Sequence, residues 1–210
     1  MAGVQAEPFH IAYSRMRERL QEGAYPPGVR ITAVDIADDL GLSTTPVREA
    51  LSRLAGEGIL EDRRGQGYFV RPLSVADIGD LYRMSLACLL IALDPHRANR
   101  GQGMASAEAP DPADPVRGVE EVFRQWTADA GSRTLISTAR NLQIQLGPVR
   151  RLEPRLFDDL NQEARLLLGA DAGAARADRI ALLRQFHGRR IRLADRLASL
   201  LEASAPRRKK

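Results

Sequence analysis

Between Val34 and Leu54 the chain holds two short apolar-patterned segments joined by Gly41-Leu42-Ser43, and this block limits the possible folds more than any other stretch. Val34, Ile36, Ala37 and Leu40 mark a short helix that stops at Gly41. Ser43 suits the N-cap of a second helix, and Pro46 is tolerated in its first turn. That second helix runs to about Ala55, with Val47, Ala50, Leu51 and Leu54 inward and Arg48, Ser52 and Arg53 outward. A helix-turn-helix needs a small residue where its helices meet and a glycine in the turn that accepts a left-handed backbone. It also needs an apolar residue to close the corner. Ala37, Gly41 and Val47 stand in those three places.

The flanking stretches extend the motif. Ile59–Asp62, the tip Arg63-Arg64-Gly65-Gln66-Gly67 and then Tyr68-Phe69-Val70 read as a β-hairpin, ended by Pro72. Upstream, Phe9, Ile11, Ala12, Met16 and Leu20 share roughly one helical face between Pro8 and Glu22. Gly23 closes that helix, Tyr25-Pro26-Pro27-Gly28 forces a turn, and Val29–Ile31 is extended. The order helix, helix, helix, hairpin is a winged helix-turn-helix, expected over residues 1–73.

Beyond it the pattern is helical throughout. Ser74-Val75-Ala76-Asp77 resembles a capping box and opens a helix to about Leu93. Residues 98–115 are rich in Gly, Ala, Ser, Pro and Asp and read as a loop. Helices are expected from Asp114 to about Ala130, from Ser132 to a stop at Gly147-Pro148, and from Pro154 to Leu168. A long last helix from Ala174 to Ala203 carries Gly188 as a kink or split. Ile144 falls off the apolar face of its helix. The fold expected is mainly α: the winged domain, an all-helical bundle over residues 74–205 and a basic tail over residues 206–210.

Charge sharpens the functional question. The net charge is +4, which invites a nucleic-acid partner. Yet residues 1–74 carry 9 Arg against 10 acids, and residues 75–205 carry 18 Arg against 17. The excess sits in Arg207-Arg208-Lys209-Lys210, a tail that adds salt-sensitive, sequence-independent attraction at most. Any argument for DNA must come from where individual arginines stand. No apolar run reaches the ~18 residues of a membrane span, and no basic-then-apolar leader is readable. The single cysteine, Cys88, excludes an internal disulfide and a multi-Cys zinc site. A cytoplasmic location is expected.

In a winged helix-turn-helix the second helix enters the major groove. Its first turn offers the hydroxyls of Ser43, Thr44 and Thr45 to phosphate oxygens. Arg48, one turn on, is placed for a guanine edge. Arg53 is either a phosphate contact or a partner of Glu49. At the wing tip Arg64, Gly65 and Gln66 can follow the backbone or enter the minor groove, while Arg63 can be an ordinary strand charge.

Pro27-Gly28-Val29-Arg30-Ile31, Ile36–Ser43, Thr45-Pro46-Val47-Arg48-Glu49-Ala50-Leu51-Ser52-Arg53-Leu54 and Glu57-Gly58-Ile59-Leu60 together resemble the GntR family of bacterial transcription regulators. The resemblance covers about residues 9–72. It implies a homodimer on a palindromic double-stranded operator, retuned by a small metabolite, with DNA contacts at Ser43, Thr45, Arg48 and Gly65. Two positions depart: Thr44 and Val34 stand where the family usually has arginine, so the family operator is not implied. The helical half is similar in order and spacing to the FCD domain of the FadR-like branch, through Phe123-Arg124 and Ala130–Leu135.

That domain places one Asp and three His around a metal, and here the histidine positions fall on Arg124, Arg179 and Arg196. Only His10, His96 and His187 exist in the chain. No metal and no cofactor is expected, and His187 is read as surface or core edge. Two readings of the three arginines stand. Either they line a cavity and bind an organic-acid effector directly, or they are solvated surface charges. No catalytic constellation is present: no Ser/His/Asp order, no Cys–His pair and no phosphate loop in a strand-to-helix setting. Cys88 reads as a small buried apolar residue. The function expected is an effector-modulated DNA-binding regulator, a repressor. The alternative is a constitutive DNA-binding protein whose helical domain only dimerises.

Overall fold

A computed structural model describes residues 7–94, 114–171 and 174–204. The order is α1 (Pro8–Gln21), β1 (Arg30–Ile31), α2 (Ala33–Leu40), α3 (Thr44–Gly56), β2 (Leu60–Arg63), β3 (Gly67–Val70), α4 (Val75–Ala92), α5 (Pro115–Asp129), α6 (Arg133–Arg150), a 3-10 turn (Glu153–Arg155), α7 (Leu160–Asp171), α8 (Arg176–Arg192) and α9 (Ala194–Ser204). The protein is mainly α, with an N-terminal winged helix-turn-helix and a C-terminal helical domain.

In the first unit, Ala12, Met16 and Leu20 recur every four residues and bury one stripe of α1 against α3. Ile36, Ala37, Val47, Ala50, Leu51, Leu54, Ile59, Leu60 and Val70 complete that core. The sheet runs β1-β3-β2, all antiparallel, with Arg63 opposite Gly67 and Ile31 opposite Tyr68. The capping box at α4 is present in both directions: Ser74 Oγ accepts from the Asp77 amide, and Asp77 accepts from the Ser74 amide. Its donors hold the Asp77 carboxyl below the usual carboxylate range, and Arg71 adds to the effect. Asp114 caps α5, with Pro115 at its first position. The 98–115 loop expected from composition lies almost wholly outside the described residues.

Four expectations for the helical domain are corrected. Gly147-Pro148 does not stop α6, which runs on to Arg150. Leu146, Val149 and Arg150 are buried there, and the missing side chain of Gly147 lets the helix lie directly against the backbone of Gln21. The 154–168 helix is a 3-10 turn followed by α7. The break turns Glu153 toward Arg190 and lets Phe157 pack with Val116 and Leu160. The last helix divides at Leu193, not Gly188, because α8 packs on Phe123 and Trp126 while α9 packs on Ile78 and Tyr82. His187 is neither surface nor edge; it has no exposed area.

Ile144, which falls off the apolar face of its own helix, is buried in the N-terminal core instead. The two units therefore meet along α1 and α6.

Candidate nucleic-acid interface

Gly41 ends α2 in the left-handed conformation (φ 64°), as the turn of this motif requires. Ser43 is the extended N-cap of α3, and its side chain makes no capping bond. The first amides of the helix and the Ser43 hydroxyl are thus left to an outside acceptor. Burial of Val47, Ala50, Leu51 and Leu54 turns Ser43, Thr45, Arg48, Glu49, Ser52 and Arg53 outward, with Thr44 half-buried. Arg48 has no hydrogen-bond or ionic partner among the described residues, so its guanidinium is not committed elsewhere.

Arg53 is committed. Its Nε donates to Glu57 at 2.7 Å, not to Glu49 as the sequence suggests. Both carboxylates lie four residues away, but Glu57 is also fixed by the Tyr13 hydroxyl at 2.8 Å and by Arg17 at 3.5 Å. The carboxylate already held by α1 makes the better partner.

The wing tip is Arg64-Gly65-Gln66. The Gln66 amide donates to the Arg63 carbonyl at 2.8 Å, and Gly65 and Gly67 take positive φ. All three tip residues are exposed. Arg63 belongs to the strand: it bonds Glu61 at 2.8 Å and lies 4.2 Å above the Phe69 ring. One residue was missed. Exposed Arg30 lies at the base of the wing, with Nε 3.5 Å from where a Gly67 side chain would begin. The period-two pattern, Ile31 in and Arg30 out, is the signal that marks it.

The three arginines of the helical domain are not gathered around one cavity. Arg124 pairs with Glu121 and lines an open cleft of about 860 Å³ between α1, α5 and α6. Arg179 donates to the Ala170 carbonyl at 3.0 Å and lines a separate cleft beside Trp126, Leu93 and Arg176. Arg196 is exposed on α9.

The domain's interior holds instead a polar cluster that sequence reasoning did not single out. Fully buried Arg190 makes paired hydrogen bonds to Glu153 (2.8 and 2.7 Å) and Glu163 (3.0 and 2.8 Å). Burial pushes its pKa down, but the two carboxylates more than reverse this and keep it charged. Tyr82 donates to Glu153 at 2.7 Å. His187 donates from Nδ1 to the Leu183 carbonyl (2.8 Å), so Nε2 is left to accept from the Ser85 hydroxyl (3.1 Å). Burial lowers its pKa to about 3, aided by the positive charges of Arg150 and Arg190, so the ring is neutral at pH 7. The missed signal is periodic: Arg190 follows Phe186 by four residues and Leu183 by seven, and Arg150 follows Leu146 by four. Cys88 is buried, and burial raises its thiol pKa. No helix among the described residues is long and apolar enough to cross a membrane.

Comparison with known proteins agrees with this geometry. Residues 11–70 match the model of the family described as "Bacterial regulatory proteins, gntR family". The chain is 34% identical over 105 residues to an HTH-type transcriptional regulator from the TAR-I ttuE-ttuC' intergenic region of Agrobacterium vitis, covering 50% of this chain and 57% of that protein. It is 43% identical over 60 residues to the Nta operon transcriptional regulator of Aminobacter aminovorans, covering 29% of each. The matched segment thus spans little more than half of the first relative and under a third of the second. In fold it resembles E. coli McbR/YncC (TM-score 0.67, 17% identity, 91% of this chain and 99% of that one). It also resembles a GntR transcriptional regulator from Rhodococcus sp. RHA1 (TM-score 0.63, 15% identity, 96% and 100%). The N-terminal domain is of the gntR helix-turn-helix type.

Proposed function

We propose that this chain is a GntR-family transcription regulator of the FadR-like branch: a homodimeric repressor that binds a double-stranded DNA operator and releases it in response to a small organic acid. It is not an enzyme, and it works in the cytoplasm where its DNA is. The observation that carries the reading is the exposed recognition face: Ser43, Thr45 and uncommitted Arg48 on α3, beside the tip Arg64-Gly65-Gln66. Arg48 reads a guanine edge, and the Ser43–Thr45 turn and the wing hold phosphates. Arg53, paired with Glu57, contributes at most a peripheral phosphate contact.

Dimerisation draws on the helical domain, a divergent FCD-type bundle. Met84 and Ile91 stand seven residues apart on α4 and are both exposed, an apolar stripe that a second copy would cover. The effector is an anion because arginines stand where the family has histidines. Arg124 and Arg179 border clefts open to such a ligand. A second reading is favoured by the scatter of Arg124, Arg179 and Arg196: constitutive DNA binding, with the helical domain serving only to dimerise.

The test is operator binding by the full chain, on its own promoter or on duplexes it selects from a random pool. Arg48→Ala should weaken specific binding by about 1–3 kcal/mol, roughly ten- to hundredfold, while sedimentation still reports a dimer. Unchanged binding refutes the assignment of α3. Thermal shift against a panel of organic acids separates the two regulatory readings, because a ligand of the folded state raises apparent stability.

A further inference from the structure

Arg150 is 1% exposed, yet none of its three guanidinium nitrogens makes a hydrogen bond among the described residues. An unsatisfied buried guanidinium is strongly unfavourable. Its nearest carboxylate oxygen is Glu120 Oε1, 3.8 Å from Nη1 and itself buried without a partner. The other oxygen of Glu120, Oε2, faces the opposite way. It accepts from Gln21 Nε2 on α1 at 3.1 Å and from Arg151. The backbone carbonyl of Glu120 is pinned by Gln143 at 3.1 Å, so the peptide is held while the side chain faces Gln21 and Arg151 on one side and Arg150 on the other.

We infer that Glu120 is a positioning residue that couples the helical domain to the DNA-binding unit, its carboxylate exchanging between Gln21 on α1 and the guanidinium of Arg150. A swing of about 1 Å completes the Arg150 hydrogen bond and loosens the hold on Gln21 and Arg151, which share Oε2. Each arrangement leaves one polar partner short, which is what makes the element two-state. The consequence reaches α3 through side chains of α1. Arg17 of α1 donates to Asn141 of α6 at 3.0 Å and to the Tyr13 hydroxyl at 2.5 Å. Tyr13 and Arg17 both hold Glu57, which holds Arg53 of α3. The inference rests on the proposed reading that the winged unit binds DNA.

The experiment uses the full-length protein, a duplex selected by the wild type from a random pool, and a double-mutant cycle. Arg150→Met removes the competing guanidinium on the far side of Glu120. It should shift the dissociation constant for that duplex by about three-fold or more and slow hydrogen exchange of the α1 amides at residues 18–22. In a Gln21→Ala background both effects should vanish. Equal shifts in the two backgrounds, or no shift from Arg150→Met, overturn the coupling. If Arg150→Met does not fold, Glu120→Gln replaces it, with the same required dependence on Gln21. Should the wild type select no duplex, the regulator reading falls by itself. The exchange of α1 then decides the coupling alone: protection that depends on Gln21 upholds it, and unchanged exchange refutes it.

Discussion

Gly147→Ala is expected to destabilise the protein, although the same change in most helices does the reverse. Alanine is favoured over glycine inside a helix by about 1 kcal/mol. At Gly147, however, α6 crosses α1, and an added Cβ would lie 2.6 Å from Gln21 Cα, with the Gln21 carbonyl closer still. Carbon atoms prefer about 3.5–4.0 Å. The obstacle is backbone and cannot rotate away, so the helices must separate by about 1 Å. Overpacking of this kind costs about 1–3 kcal/mol. Separation also draws Ile144, one turn earlier, out of the N-terminal core, and burial of an Ile side chain contributes about 1.5–3 kcal/mol. Against the helix-propensity gain, the net loss is about 2–4 kcal/mol. For a chain of this length that lowers the melting temperature by about 5–15 °C. Calorimetry should also resolve two transitions where the joined units melt as one. Gly169→Ala is the control: Gly169 sits in α7 with nothing within 4 Å of an added Cβ, and should gain stability. If Gly147→Ala is as stable as wild type while Gly169→Ala behaves as expected, the two units do not meet through this crossing.

Gly41→Val tests the opposite mechanism, since nothing lies within 4 Å of its Cβ and only the φ of 64° forbids a side chain; a loss of about 1–2 kcal/mol in chemical denaturation is expected, with operator binding weakened through the altered turn. Ser74→Ala removes the cap of α4 and should cost about 1 kcal/mol; an unchanged denaturation midpoint would show that the box contributes nothing. His187 predicts an acid limb. Its folded pKa of about 3 lies below the unfolded value of 6.5, so the unfolded chain binds the proton first as pH falls. Stability is therefore full above pH 6.5 and declines toward pH 3. His187→Gln should flatten melting temperature against pH between 6.5 and 4; an unaltered slope would mean that other groups set it.

The winged half was legible because its determinants are local. Ala37, Gly41 and Val47 are set by the geometry of one corner, and the hairpin by glycines at its own tip; no distant contact is needed to recognise either. The helical half resists such reading wherever a residue answers to a distant partner. Gly147-Pro148 is a stop signal by local rules, but the glycine is there to let α6 approach Gln21, 126 positions earlier in the chain. Ile144 looks misplaced until the core it joins is known to belong to the other unit. Arg150 and Arg190 stand in arginine pairs that look solvated, because long charged side chains are mostly exposed. Only Glu153 and Glu163, brought in by other elements, make burial of Arg190 tolerable. Arg124, Arg179 and Arg196 were matched by motif and stand apart from one another, whereas the buried polar centre is assembled around Arg150 and Arg190. Asn141, Ile144, Gly147 and Arg150 all lie on α6 within three turns. The first three meet or approach α1, and Arg150 faces Glu120. The residues whose local signals conflict with their positions thus mark one helix, and that helix joins the interior of the helical domain to the unit that carries Arg48.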